Sequence, residues 1–140
     1  GAEKWRLDGD GWFVGRPLVA NGTIYAATMR GSVYALDRGG KLLWKFSRPG
    51  LEFRAAPILV GKSLVVADRG GDIIGLDAAN GTEQWARPTE VCAGKPECID
   101  ADGLLLESTI FYLTADRHLV RVDPAGGTIQ AFTVQSGDGK

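Results

Sequence analysis

The sequence is poor in the residues that metal centres and catalytic sites draw on. It has one histidine, His118, two cysteines and one methionine in 140 residues. A zinc site at the cysteines would want two further ligands, and His118 is the only imidazole on offer. Side-chain amides are few: Asn21, Asn80, Gln84, Gln130 and Gln135. A surplus of one charge is also missing, with 16 Lys and Arg against 17 Asp and Glu. That balance argues against a nucleic acid or an anionic membrane held through net charge. No apolar run approaches the ~20 residues of a membrane-spanning helix, so no direct membrane insertion is expected. No signal peptide is legible.

Glycine, by contrast, is plentiful. The 20 glycines are about twice the usual share of roughly 7%. They follow no collagen period and form no Ser/Gly tract, so they mark turns. Hydrophobic residues make up 44%, enough for a core in a chain of one-domain length.

The turns recur. Residues 31–44, GSVYALDRGGKLLW, read as strand, tight turn, strand. Val33 to Leu36 are strand formers, Asp37 and Gly40 are turn residues, and Trp44 closes the next strand. The same grammar returns at 71–85, where Asp77, Gly81 and Trp85 take those roles. It returns again at 118–132 with Asp123 and Gly127, but Ala131 stands where Trp is expected. A period near 40 with strands inside it points to four-stranded propeller blades.

In chain order, residues 3–7 with Trp5 read as a lone outer strand. The loop at 8–11, DGDG, has the carboxylates of a calcium loop but not the Glu that ends one, so a solvated turn is the plain reading. The first blade has strands at 14–20, 23–28, 33–36 and 41–47, with Asn21-Gly22 as a hairpin turn. The second has 53–60, 63–67, 72–76 and 82–87. The third has 104–107, 109–114, 119–122 and 128–134. Pro17 and Pro57 sit in the innermost strands, which an edge tolerates. These strands are apolar on both faces, as stacked blades require and a solvated sheet does not. A β-sandwich is the alternative by strand pattern alone.

The expected fold is therefore all-β: a partial β-propeller of about three four-stranded antiparallel blades plus one extra N-terminal strand. The expected units are 1–12 (outer strand of a preceding blade and loop), 13–50, 51–90, a disulfide loop at 91–99, and 100–140. Three blades cannot close a ring of the usual 4–8. The chain is expected to be part of a larger propeller, or to close by self-association, for instance as a homodimer of three-bladed halves. Trp5, Ile24, Tyr25 and Leu43 at one end, and Phe111, Leu119, Ile129 and Phe132 at the other, are expected on uncovered faces.

The run Ala35-Leu36-Asp37, Gly40 and Trp44, repeated as Leu76-Asp77, Gly81 and Trp85, resembles the quinoprotein-type propeller repeats named for pyrroloquinoline-quinone alcohol dehydrogenases. The resemblance covers almost the whole chain. It implies Trp rings packed between neighbouring blades, a structural signature. The family holds two functional classes, quinone-dependent dehydrogenases and non-catalytic extracytoplasmic propellers such as the lipoprotein scaffold of the outer-membrane β-barrel assembly machine. The dehydrogenases need a calcium cluster of Glu, Asn and Asp, a catalytic Asp, and commonly an adjacent-Cys disulfide. Here the cysteines are not adjacent, and Asn21 and Asn80 fall in turns. The reading is a non-catalytic scaffold for protein–protein interaction or ligand sensing, without cofactor. The alternative is a fragment of a quinone-dependent dehydrogenase.

Cys92 and Cys98 lie in a glycine- and proline-bearing loop between the second and third blades, where the period stretches from 40 to 46. A redox pair is more usually C-x-x-C, so a structural disulfide is expected. It implies an oxidising compartment, periplasmic or secreted. Inter-blade linkers share one side of a propeller with the turns that join second and third strands. Those turns hold Met29, Arg30, Arg69, Arg117 and His118. They are either solvated turn residues or a basic, Met- and His-bearing contact surface for a protein partner.

Overall fold

The computed structural model describes residues 9–134. The strand expected at 3–7 with Trp5, Asp8 of the DGDG loop, and the tail 135–140 lie outside the described residues. The described residues form three four-stranded antiparallel sheets. The first is β1 (Leu18–Ala20), β2 (Thr23–Ala27), β3 (Ser32–Leu36) and β4 (Leu42–Ser47). The second is β5 (Ile58–Val60), β6 (Ser63–Ala67), β7 (Asp72–Asp77) and β8 (Glu83–Pro88). The third is β9 (Leu104–Leu106), β10 (Thr109–Leu113), β11 (His118–Val122) and β12 (Ile129–Thr133). Within each sheet the strands neighbour one another in chain order. One 3₁₀ turn, Glu90–Cys92, interrupts the linker before the third sheet.

Turn chemistry sets the register. Asn21 and Gly22 have φ of +52° and +78°, which a type I′ hairpin demands. The Asp37 carboxylate accepts the Gly39 and Lys41 N–H groups at 2.9 Å each. Asp77 and Asp123 cap their own turns in the same way through Ala79 and Ala125. The innermost strands are shorter than the sequence pattern implies. They begin one residue after Pro17 and Pro57, which have no N–H to give the ladder.

Cross-strand register assigns the faces. Tyr25, Ala27, Val33, Ala35 and Trp44 share one face of the first sheet. They pack on Leu64, Val66, Ile74 and Leu76 of the second. The opposite face of the second sheet carries Val65, Ala67, Ile73 and Trp85, which pack on Ile110, Tyr112, Val120 and Val122 of the third. The middle sheet is covered on both sides, so its inner strands β6 and β7 are mostly apolar and buried, while the outer strand β8 keeps exposed Glu83, Gln84 and Arg87.

A tryptophan locks each interface. The Trp44 indole N–H donates to the Ala78 carbonyl at 2.9 Å, and its ring lies where a Cβ on Gly81 would come within 2.4 Å. Trp85 repeats this one blade on, donating to the Pro124 carbonyl at 2.9 Å, with Gly127 beneath its ring at 2.5 Å by the same measure. Each ring thus covers the turn after the third strand of the next sheet. That turn must carry glycine, both for the space and for φ near +77°.

The register also corrects the reading of the third blade. In the first two sheets the pairing shifts at Ala35/Leu36 and Gly75/Leu76, a β-bulge that leaves Trp44 opposite Ala35 and Trp85 opposite Gly75. The third sheet has no such shift: Val122 pairs with Ile129, Arg121 with Gln130, Val120 with Ala131 and Leu119 with Phe132. Without the bulge every later residue changes face. Ala131 therefore does not occupy the tryptophan position. It sits opposite Val120 on the side facing the second sheet, and Gln130 takes the place that Trp85 has. Ile129, opposite Val122, packs against the core rather than on an uncovered face. Tyr25, also expected on an open face, is buried between the first and second sheets.

Replacing Trp85 by Ala should cost about 3 kcal/mol or more, the range for emptying a buried aromatic site. Gln130→Ala, opposite Arg121 in the third sheet, should cost less than a third of that. Urea unfolding followed by far-UV circular dichroism measures both.

Candidate functional site: the linker face and its disulfide loop

The linkers and the turns between second and third strands meet at one end of the blades. The Met29 N–H donates to the Trp12 carbonyl, Arg69 to Glu52 and Ala115 to Cys98, at 2.8–2.9 Å. Each linker thus lies across the tip of the blade it enters. It also ties back to the blade it leaves: the Phe53 N–H donates to the Thr28 carbonyl at 3.1 Å, and the Cys98 and Ile99 N–H groups both donate to the Arg69 carbonyl. A short polar side chain opens each tip. Thr28 Oγ accepts the Arg30 and Ser32 N–H groups, Asp68 accepts those of Gly70 and Glu52, and Thr114 accepts that of His118.

Asp10, in the DGDG loop, is spent on this framework. It accepts the Thr28 hydroxyl at 3.0 Å and the Ser32 hydroxyl, and its N–H donates to the Tyr34 hydroxyl. Partial burial pushes its carboxyl up, but the Ser32 and Thr28 hydroxyls and Lys45 outweigh that and hold it below the ordinary value. Tyr112, fully buried, has its hydroxyl pushed well above the usual phenol range by burial first and by Asp102 second.

Cys92 and Cys98 are joined in a disulfide. It seats against Gly71, where a Cβ would fall 2.3 Å from that of Cys92. The loop is a staple between the tips of the second and third blades. Arg69, only 18% exposed, donates to Asp100 at 2.8 Å and to Glu97 at 2.7 Å, with Glu52 at 3.8 Å. Burial works against its charge, and the Asp100, Glu97 and Glu52 carboxylates more than restore it. Lys95 pairs with Asp116, which also takes the Thr114 hydroxyl and lies 3.1 Å from His118 Nδ1. Lys95 first, then Thr114 and His118, hold the Asp116 carboxyl far below its usual range.

The five tip residues fall into two sets. Arg69 is held by carboxylates of the following linker, and His118 by Asp116 of its own turn. Arg30 and Arg117 are exposed, and Met29 is half-buried. Sequence reasoning missed two things here. The acids that neutralise Arg69 come from linkers far off in sequence, Glu52, Glu97 and Asp100, and no local motif announces them. Trp12, 82% exposed, stands on this face beside Met29, in the linker place that Glu52 and Cys98 hold elsewhere. Among the described residues no group of three or more His, Cys, Asp or Glu side chains comes together as a metal site would require. What this face offers is a surface with two exposed guanidinium groups and an indole.

Stacked four-stranded blades locked by tryptophan on a glycine turn define a β-propeller of the quinoprotein-like repeat class. The model of the family described as outer membrane protein assembly factor BamB matches residues 1–95, and the chain belongs to that family. BamB of Xanthomonas campestris pv. campestris is 41% identical over 91 residues, covering 56% of this chain and 22% of that relative. The tetrathionate hydrolase of Acidithiobacillus ferrooxidans is 32% identical over 99 residues, covering 51% of this chain and 20% of the enzyme. The crystal structure of BamB from Moraxella catarrhalis superposes with a TM-score of 0.76 at 21% identity, over 94% of this chain and 40% of that one. A europium-containing methanol dehydrogenase superposes equally well, with a TM-score of 0.76 at 19% identity, over 96% of this chain and 27% of that one. At those identities the likeness is one of fold. The chain spans about a fifth of the length of the curated relatives it matches.

Two outcomes test the staple. Reduction of the disulfide, or the Cys92→Ser/Cys98→Ser pair, should cost about 2 kcal/mol, as expected for so short a closed loop, read from urea melts with and without reductant. Asp116→Asn should lower the melting temperature at neutral pH. Because the folded-state carboxyl is depressed, its contribution is complete above the unfolded value of about 4 and is lost as pH falls through the folded one. The gap between wild type and Asp116→Asn should therefore close as pH drops below about 4. Added salt should narrow it at any pH, since the pairs are solvent-screened.

Proposed function

We propose that the chain is part of a non-catalytic, extracytoplasmic propeller that serves as a scaffold in outer-membrane protein assembly. It would contact its protein partner through the linker face, with Arg30 and Arg117 as the charged contacts and Met29 and Trp12 as the apolar ones. The observation that carries this reading is the 41% identity to a BamB across the matched segment. It is supported by where the repeated signature is used: Asp37, Asp77 and Asp123 cap turns, and Trp44 and Trp85 wedge blades. The disulfide favours an oxidising compartment such as the periplasm. Arg69 and His118 position the tips rather than contact the partner.

A second reading, an enzyme fragment, is favoured by the kinship with a tetrathionate hydrolase and by the dehydrogenase-like fold. One set of measurements separates the two. The whole protein that carries this chain should show no turnover of alcohols with pyrroloquinoline quinone, calcium and a dye acceptor, and none of tetrathionate. Its deletion should lower the level of folded outer-membrane barrels, and an Arg30→Glu/Arg117→Glu variant that melts like wild type should fail to restore it. Turnover of either substrate, or unchanged barrel levels on deletion, would sink the scaffold reading.

A further inference from the structure

The disulfide joins residues six apart in sequence, so its ring encloses only residues 93–97. This short arch carries two side chains that tie the blade tips. Glu97 takes Arg69 at 2.7 Å, and Lys95 takes Asp116. Glu97 is 65% exposed and Lys95 46%, and exposed pairs of this kind contribute little on their own. The chain on either side of the arch is fastened without them. Thr89 N–H donates to the Gly71 carbonyl, and the Cys98 and Ile99 N–H groups donate to the Arg69 carbonyl. The Cys98 carbonyl accepts the Ala115 N–H, and Ile99 is fully buried. The arch itself has room to move. A Cβ on Gly94 would meet nothing within 4 Å, and two clefts meet at the arch. One, of about 610 Å³, is lined by Pro88, Thr89 and Cys92, and the other, of about 280 Å³, by Cys98, Ala115 and Asp116.

We propose that the Cys92–Cys98 bridge is a redox gate on the linker face: a dithiol reductant of the thioredoxin kind opens it, the arch leaves the blade tips, and Arg69 and Asp116 lose Glu97 and Lys95 while the blades stay stacked. The attacking thiolate has a path, because Cys92, although only 2% exposed, lines the larger cleft. The thiolate bonds to the Cys92 sulfur, the sulfur–sulfur bond breaks, and Cys98 leaves as a thiolate that takes up a proton. The second thiol of the reductant then displaces Cys92 from the mixed disulfide. Two electrons and two protons pass from the dithiol, which ends as a disulfide. Ring size favours a gate over a permanent staple. A bridge stabilises the fold by what closing its ring contributes, and the fold stabilises the bridge by that same amount. For a ring this short both are small, so the fold opposes reduction only weakly. Once the ring is open, the two exposed ion pairs are too weak to hold the arch. Arg69 then keeps Asp100, and Asp116 keeps Thr114 and His118. The places of Glu97 and Lys95 become open to a carboxylate and a cation of a protein partner. The gate acts on the face that the scaffold reading uses, but its test follows the arch itself, so either can fail alone.

The test starts from the oxidised chain, labelled with nitrogen-15, in which both cysteines are in the bridge. Excess reduced thioredoxin, without denaturant, should convert more than half of the chains to the dithiol, counted by thiol alkylation after an acid quench. Conversion only in denaturant would overturn the proposal. In the reduced protein the NMR order parameters of Ala93, Gly94, Lys95 and Glu97 should fall from about 0.85 to below about 0.6, while those of β7 and β10 are unchanged. The Asp116 carboxyl, held far below its usual range chiefly by Lys95 in the oxidised chain, should titrate nearer the ordinary value of about 3.9. An arch that stays ordered on reduction would sink the gate, and so would loss of order in β7 and β10, which would make the bridge a staple of the whole fold. Cys92→Ser/Cys98→Ser, a permanently open form, should reproduce the mobile arch, and an ordered arch there would equally count against the gate. Lys95→Ala in the oxidised chain separates the ring from the ion pair. Its arch should stay near about 0.85, and an arch set loose by this variant alone would show that the pair, not the bridge, is the latch.

Discussion

The structure depends on one contact, an indole laid over a glycine turn on the neighbouring sheet. A sheet of four short strands has two apolar faces and no core of its own. It becomes stable when a second sheet covers it, and the covering must hold a fixed rotation. The tryptophan supplies both area and direction: its ring fills the gap between sheets, and its N–H finds one carbonyl on the next blade. The glycine admits the ring, and the aspartate of the same turn holds the backbone that presents the carbonyl. The repeated Asp, Gly and Trp of the sequence are parts of this single device.

At the opposite end of the blades the linkers perform a second fastening by backbone hydrogen bonds. Each linker caps the tip of one blade while anchoring to the previous one, as Phe53 does at Thr28 and Ile99 at Arg69. Phe53 and Ile99 are fully buried at these anchors. Where the linker lengthens, between the second and third blades, the disulfide and the Arg69 cluster take up the slack. A surface ion pair alone would contribute little. Arg69 gathers three carboxylates from two linkers on a largely covered side chain, which makes it a positioning residue for the face. This rigid frame is what lets Arg30, Arg117 and Trp12 stand out at defined spacings.

Much of this was legible in the sequence. The period near 40, the Asp–Gly–Trp spacing and the paired prolines gave the strands, their number and their order. The disulfide followed from two cysteines in a turn-rich insert. Two features were not legible. A β-bulge is one residue inserted against a partner strand, and nothing in the local run Ile129–Phe132 of the third blade says whether a residue is bulged out or paired, so the spacing aligns Ala131 with Trp85 although the backbone gives that place to Gln130. The pairing of Arg69 is long-range electrostatics between residues up to 31 apart in sequence, which a repeated arginine at a turn tip cannot reveal.

The account stands on the claim that the two buried indoles couple the blades. Hydrogen exchange at the tryptophan side chains tests it most directly, because each indole N–H has its own resonance. The account predicts that the Trp44 and Trp85 indole protons exchange only by global unfolding, as slowly as the most protected amides of the central strands, while the exposed Trp12 proton exchanges at the rate of a free indole. Trp44 and Trp85 protons exchanging as fast as that of Trp12 would contradict it.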